Sequence, residues 1–295
     1  MTSQSSTLLC EGFAFPEGLR WHDEQLWISD QTTGTVWTMT EDGAAEPLVN
    51  VPGGASGLGW LADADLLVVS MADRRLLRVH AGTGEVAVHA DLGNLPGYRL
   101  NDMVVATDGQ AYVGDFGFDP RALVARFGSS ALDGDQVPAA FLARVDPDGS
   151  VHLAADGLRF PNGCAITADG RTLIVAETFG RQLTAFDRSE TGALSARRPW
   201  VTLDARPDGI CLDAEGAIWV ANAGAAECLR VSAPRAGRSA AVIDRVVTGA
   251  PAYSCALGGS DGHTLFLATA QNSPDARTPG RIEIARVDVP AAIST

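Results

Sequence analysis

The chain has 295 residues, 46% of them hydrophobic, so it is long enough to bury a large core. Its formal net charge of −14 makes nucleic acid and anionic membrane surfaces poor candidate partners. All 22 basic residues are arginine, which excludes chemistry that requires a lysine, such as Schiff-base formation or a Walker-type ATP site.

The five cysteines are odd in number, widely spaced and without a CxxC pair, which argues against a disulfide framework or structural zinc. The first residues lack a charged segment followed by a long apolar one, so we expect no signal peptide. No apolar run approaches the roughly 18–20 residues that span a bilayer. These features together predict a cytoplasmic protein.

One unit occurs six times along the chain. Each copy begins with a polar residue, continues as a short apolar strand, passes a turn that is often Asp-Gly, and returns as a second apolar strand. The copies begin near residues 17, 56, 101, 162, 208 and 254, and most are followed by a third apolar strand and some by a fourth. Four short strands every ~40–50 residues is the propeller period. The sequence predicts an all-β fold: one domain over residues 1–295, a six-bladed β-propeller with four-stranded antiparallel blades around a central channel.

Two segments fall outside the repeat. Residues 7–11 form an apolar run that we expect to complete the last blade and close the ring. Residues 118–136 lengthen the spacing between the third and fourth copies and are partly compatible with a helix. This insertion is either a tolerated surface loop or a loop that covers the mouth of the channel.

The first polar residue of each copy, which we call its leader, is the main candidate for function. The six leaders are Glu17, Ser56, Asn101, Asn162, Asp208 and Ser254. Because the innermost strand of every blade lines the channel, we expect the leaders to form a ring at one end of it. All six carry oxygen, as the ligands of a hard divalent cation do, and two carboxylates balance its charge. The ring has no His or Cys, which argues against a dedicated zinc or copper site.

Each leader also has a simpler interpretation. Polar residues cap propeller channels around ordered water, and Asn or Asp before Gly is common in turns. Turn chemistry does not account for the carboxylate of Glu17, which follows a proline, so we prefer a metal site for the set of six. The hairpin of Asp208 also contains Asp213 and Glu215, which lie in its turn and are expected to be solvated. A GxSxG match at residues 258–262 falls on a hairpin turn, not a strand-to-helix elbow, and does not indicate a serine hydrolase.

Several motifs resemble those of the regucalcin/gluconolactonase family, in the right order from about Gly12 to Arg286. The motifs are Phe15-Pro16-Glu17-Gly18, Arg99-Leu100-Asn101-Asp102, Phe160-Pro161-Asn162-Gly163, Pro207-Asp208-Gly209-Ile210 and the segment from Tyr253 to Gly259. The resemblance implies a six-bladed propeller with one divalent metal ion, bound by Glu17, Asn162 and Asp208. It implies that Arg99 and Asn101 contact the substrate. Diisopropyl-fluorophosphatase is similar more distantly.

The resemblance weakens at one position. The acidic substrate contact of the family has its nearest counterpart in Asp119, but the surrounding Phe-Gly-Phe-Asp sequence differs from that of sugar lactonases. This leaves the preference for a sugar substrate open.

The predicted function is a metal-dependent lactonase or ester hydrolase acting on a small molecule. The cofactor is one divalent ion, Ca²⁺ first, with Mg²⁺, Mn²⁺, Zn²⁺ and Fe²⁺ as alternatives. Asp208 would accept the proton of the attacking water, with Glu17 as a second choice; alternatively, the metal ion alone activates the water. Two other functions stay open: a phosphotriester or fluorophosphate hydrolase at the same site, and a non-catalytic calcium-binding or protein-docking propeller.

Overall fold

The computed structural model describes residues 3–133, 137–271 and 278–292. Their strands form six sheets arranged as the blades of a β-propeller, which confirms the predicted fold. We number the blades by the order of their leaders. The strands of the first three blades run in sequence order. Blade 1 contains β3 (Pro16–His22), β4 (Gln25–Asp30), β5 (Thr35–Met39) and β6 (Ala45–Asn50). Blade 2 contains β7 (Ala55–Trp60), β8 (Leu66–Ser70), β9 (Arg75–Val79) and β10 (Val86–Asp91). Blade 3 contains β11 (Leu100–Val105), β12 (Ala111–Asp115), β13 (Ala140–Val145) and β14 (Val151–Leu158).

The other three blades include the closure of the ring. Blade 4 contains β15 (Pro161–Ile166), β16 (Thr172–Glu177), β17 (Gln182–Arg188) and β18 (Leu194–Thr202). Blade 5 contains β19 (Pro207–Leu212), β20 (Ile218–Asn222), β21 (Glu227–Val231) and β22 (Val242–Val247). Blade 6 contains β23 (Ala252–Gly258), β24 (Thr264–Thr269) and β25 (Gly280–Arg286), and its outer strand is β2 (Thr7–Phe13).

The core lies between neighbouring blades. The second strand of a blade is buried on both faces, so β8 and β24 read as continuous apolar runs without the alternation of a half-exposed strand. Between blades 2 and 3, for example, Leu67 and Val69 pack in one cluster with Val113. Outer strands such as β18 are mostly exposed. Exposure therefore falls from the outer strand of a blade inwards, and the first strand of each blade lies next to the channel.

The predicted closure of the ring is confirmed. β2 pairs antiparallel with β25 and extends beyond the predicted residues 7–11 to Phe13. A strand that was not predicted, β1 (Ser3–Ser5), pairs parallel with β22 at the edge of blade 5. The first part of the chain therefore joins blades 5 and 6.

The insertion after β12 contains a helix, α1 (Pro120–Phe127), and a 3₁₀ helix (Ser129–Asp133). Because β12 ends where Asp115 pairs with Leu100, the insertion lies at the end of the ring that carries the leaders. Asp133 accepts hydrogen bonds from Arg181 and Arg206, so the insertion also contacts blades 4 and 5 at that end. Its last residues, 134–136, lie outside the described part of the chain. Over the described ranges, no helix has the length and apolar character needed to cross a membrane.

Candidate metal centre

A shift in strand register occurs at or next to every leader. In blade 5, Pro207 pairs with Asn222 and the next pair is Ile210 with Val220, which leaves Asp208 and Gly209 outside the ladder. The other five blades show the same irregularity between their first two strands. Such bulges turn a side chain away from its regular direction. The leaders can therefore point towards a common centre.

Glycines after the leaders let the inner strands approach each other. A Cβ on Gly163 would lie 2.5 Å from the carbonyl oxygen of Asp208, and one on Gly57 would lie 2.3 Å from the backbone nitrogen of Met103. Gly18 and Gly209 meet the next blade in the same way. Real Cβ atoms do not approach backbone this closely, so only glycine permits the spacing. This local sequence choice brings the leaders of adjacent blades together.

All six leaders are buried, as the ring hypothesis requires. Three of them hydrogen-bond to other blades. Asn101 Nδ2 donates to the carbonyl of Pro161 at 3.1 Å, Ser254 Oγ accepts from the backbone N–H of Leu19 at 2.9 Å, and Ser56 Oγ accepts from Gln31 at 3.5 Å. These contacts hold the inner strands in register.

The remaining leaders are the three predicted ligands. Asn162 Nδ2 donates to Thr178 Oγ1 at 3.3 Å. This bond fixes the orientation of the amide, so its Oδ1 points away from Thr178. Burial, and then the negative charges of Asp208 and Asp102, raise the pKa of Glu17 well above its ordinary value. Burial and the charge of Asp102 raise the pKa of Asp208 in the same way. Glu17 and Asp208 are thus close enough for their charges to interact.

Asp208 has an unpartnered oxygen. Its Oδ1 is buried and has no hydrogen-bond partner among the described residues. A buried carboxylate oxygen in this state is costly unless a cation satisfies it. Two carboxylates and an amide form the type of oxygen donor set that hard divalent cations take. The three residues therefore fit a divalent ion.

Asp102 is a residue of this centre to which the sequence analysis gave no role. It occupies the position after the leader of blade 3, where four other blades have glycine. Its carboxylate, also buried, pairs with Arg20 of blade 1 at 2.8 Å. Because Arg20 pairs with Asp102, Glu17 and Asp208 have no ion pair of their own among the described residues, which again matches one divalent ion. The presence of Asp at a position where four other blades have glycine could have identified Asp102 from the sequence.

The metal hypothesis requires the amide ligand. In the part of the chain that the structure describes, no three His, Cys, Asp or Glu side chains are grouped so as to hold a metal ion. Glu17 and Asp208 supply two ligands, and Asn162 has to supply the third from the protein. A histidine- or thiolate-rich centre is not the type of site present here.

The predicted substrate contacts differ in their positions. Arg99 is exposed, and its guanidinium lies 5.5 Å from the centre of the Tyr98 ring. Asp119 caps α1, where its Oδ1 accepts from the backbone N–H groups of Arg121 and Ala122. Its Oδ2 accepts from the Tyr98 hydroxyl at 3.1 Å. Both oxygens of Asp119 already have partners, and a substrate role for Asp119 stays a prediction.

One prediction for the blade 5 hairpin is wrong. Asp213 is buried, not solvated, because Arg230 pairs with it at 2.6 Å and the backbone N–H groups of Glu215 and Ala217 donate to it. Glu215 is exposed as predicted. Both residues line a cleft of about 460 Å³ at the end of the ring opposite the leaders. That cleft is separate from the candidate metal centre.

Residues 15–271 match a family model described as "SMP-30/Gluconolactonase/LRE-like region". The chain belongs to this family. Among SMP-30/gluconolactonase proteins, regucalcin of Danio rerio is 29% identical over 195 residues, covering 63% of this chain and 59% of that one. A pentonolactonase of Haloferax volcanii is 33% identical over 141 residues, covering 45% of this chain and 46% of that one. The chain thus spans less than two thirds of the length of these relatives.

The fold also agrees with that of a solved structure. A structure of regucalcin from Agrobacterium tumefaciens, described as a calcium-binding protein, superposes with a TM-score of 0.80. The match covers 98% of this chain and 96% of that one at 19% sequence identity. At this identity the similarity establishes the shared propeller.

Proposed function

We propose that the protein is a divalent-metal-dependent lactonase that opens a small lactone by the attack of water. The observation that carries this proposal is the burial of Glu17 and Asp208 with one oxygen of Asp208 unpartnered among the described residues. Thr178 links Asn162 to the same place, because its hydroxyl bonds to Asn162 and to the carbonyl of the residue before Asp208. Family membership adds support, since one relative is named a pentonolactonase. The reaction adds water across the ester: the acyl carbon–oxygen bond breaks, a hydroxy acid forms, and its ionisation releases one proton.

Glu17, Asn162 and Asp208 would hold the ion, with Ca²⁺ as the first candidate because all three ligands are oxygens. A divalent ion supplies positive charge that stabilises the negative charge developing on the carbonyl oxygen of the lactone. The bulges and glycines of the inner strands keep these ligands buried and close together.

Asp208 is the proposed general base. Its carboxylate is buried in the ring of leaders, and a carboxylate within reach of the attacking water can accept the proton of that water. We assign Asn101, which its bond to Pro161 holds in the ring, to orienting the substrate. Arg99 lies exposed, where its planar guanidinium can bind polar groups of the substrate.

The test is a metal add-back experiment. The protein is stripped with a chelator and Ca²⁺, Mg²⁺, Mn²⁺, Zn²⁺ and Fe²⁺ are restored singly, while proton release from lactones and phosphotriesters is recorded. We expect lactone opening that depends on one or more of these ions. Turnover of phosphotriesters alone would replace this proposal with the phosphotriester hydrolase, and a rise in thermal stability without any turnover would indicate a structural calcium site.

A further inference from the structure

Four phenylalanine rings, which we call the Phe cluster, lie together at the leader end of the propeller. They are Phe116, Phe118, Phe160 and Phe179. The Phe160 ring is central, 4.4 Å from that of Phe116 and 4.8 Å from that of Phe179. Phe118 lies 6.0 Å from both Phe160 and Phe179. These are contact distances for aromatic rings, so blades 3 and 4 share one apolar surface here.

The Phe cluster is joined to the candidate metal centre by Thr178. The backbone N–H of Thr178 donates to the carbonyl of Phe160 at 3.1 Å. Its hydroxyl accepts from Asn162 at 3.3 Å and donates, at 2.8 Å, to the carbonyl of the residue before Asp208. Phe179 directly follows Thr178 in the chain. The bonds that position two predicted ligands therefore also position two rings of the Phe cluster.

Two observations distinguish the Phe cluster from ordinary core. Phe118 and Phe179 stay partly exposed although they pack on Phe160 and on each other, and Phe116, which also packs against the core between blades 2 and 3, is partly exposed as well. Phe160 has a φ of 61°, in the left-handed region that bulky residues adopt only at an energetic cost. Strained backbone positions cluster at functional sites, and this one lies two residues before the predicted metal ligand Asn162.

The polar group expected beside the Phe cluster is already engaged. Asp119 uses one oxygen to cap α1 and the other to accept from Tyr98, as described above. A polyhydroxylated lactone needs free partners for its hydroxyl groups, because placing a hydroxyl against an apolar surface without a hydrogen bond is unfavourable. An alkyl or aryl group loses no hydrogen bond at the Phe cluster, and its binding buries apolar area.

We propose that the Phe cluster binds an apolar substituent on the lactone ring, so that the substrate is an alkyl- or aryl-substituted lactone and not a sugar lactone. This inference rests on the lactonase function proposed above. Phe118, from the insertion, and Phe179, from blade 4, are the specificity-determining residues, since they face each other and are partly exposed. The reaction at the ester is the same for all lactones; the Phe cluster acts on the substituent.

The test compares three lactones with the same six-membered ring: δ-octalactone, unsubstituted δ-valerolactone and δ-gluconolactone. The wild-type protein, reconstituted with its activating metal, should have a kcat/KM for δ-octalactone at least about tenfold above those for the other two, as expected for burial of a propyl group. Phe179→Ala and Phe118→Ala should each remove most of that preference, because kcat/KM should fall much more for δ-octalactone than for δ-valerolactone. Phe127→Ala, which changes an exposed ring on α1 outside the Phe cluster, is the matched control and should keep the preference.

Circular dichroism confirms that each variant is folded, and Phe179→Leu provides a conservative replacement that should retain much of the preference. Equal losses on all three lactones in both alanine variants would overturn the inference, since this is the pattern of a purely structural role. A wild-type preference for δ-gluconolactone would also overturn it and leave the lactonase proposal intact. If the wild-type protein opens none of the three, both proposals fail together.

Discussion

At the scale of single residues, the candidate centre depends on an imbalance of charge. Glu17, Asp102 and Asp208 are buried together, and the structure gives Asp102 a cationic partner in Arg20. One oxygen of Asp208 has no partner among the described residues. Burial of two carboxylates in this state destabilises the fold unless protons or a cation neutralise them. We assign that neutralising role to a divalent ion.

Metal binding should release protons. Because the pKa values of Glu17 and Asp208 are raised, the metal-free carboxyls hold protons at a higher pH than usual, and the ion has to displace them. At lower pH more protons must be displaced, so we expect the apparent affinity to fall as pH falls. Isothermal titration calorimetry at two pH values, in buffers of different ionisation enthalpy, measures both effects. An affinity independent of pH, without proton release, would contradict this assignment.

The six leaders could be found in the sequence because an internal repeat aligns them, and the family resemblance selects the three predicted ligands among them. Aligning six copies separates a position with changing oxygen ligands from ordinary turn residues. The role of Asp102 depends on Arg20, which is 82 positions away, and no local pattern connects them. Asp213 was misjudged for the same reason, since Arg230 covers it from another strand.

At the scale of secondary-structure elements, close packing of inner strands sets the geometry of the centre. A bulge lies at or next to each leader, and in four blades the glycine that follows the leader lets the next blade approach. In the sequence, these glycines look like ordinary turn residues. Glycine is required at these positions because a larger residue would meet the backbone of the next blade. This contact depends on the packing of the blades, so it can be seen only in the structure.

Gly163→Ala tests this packing. Its new Cβ would meet the backbone of Asp208 and Ile210, at 2.5 Å and 2.6 Å. We expect a loss of about 1–3 kcal/mol in unfolding free energy, typical of overpacking, and weaker metal binding because the backbone of Asp208 has to move. Urea denaturation and metal titration measure the two effects.

Gly82→Ala is the matched control, because a Cβ there meets nothing within 4 Å. Its unfolding free energy should stay within about 0.5 kcal/mol of the wild-type value. Gly163→Ala as stable as Gly82→Ala, with unchanged metal affinity, would show that the close approach of blades 4 and 5 does not position Asp208.

At the scale of the whole molecule, the ring is closed by chain segments distant in sequence. β2 pairs with β25 in blade 6, and β1 adds to blade 5. The repeat period predicted the number of blades and the closing strand, because each blade has to complete its own sheet. The three residues of β1 carry no such periodic signal and were not found.

Removal of the closing strand should destabilise the propeller. A variant lacking residues 1–13 loses β2, including the buried Phe13, and exposes the edge of β25. We expect its thermal midpoint to fall by at least about 5 °C, with increased self-association. A variant lacking residues 1–6 loses β1 and keeps β2, so its midpoint should fall much less. Scanning calorimetry and light scattering check this, and equal midpoints for the two variants would contradict the closure by β2.

The most direct test of the central claim joins metal binding and lactone turnover in one set of samples. Wild-type protein, Asp208→Asn and the control Glu215→Gln, which changes an exposed carboxylate in the same hairpin, are stripped of metal and reconstituted with the activating ion. We predict that Asp208→Asn binds the ion more weakly and loses turnover by about a hundredfold or more, whereas Glu215→Gln matches the wild type. Full lactonase activity in metal-stripped Asp208→Asn would contradict the account.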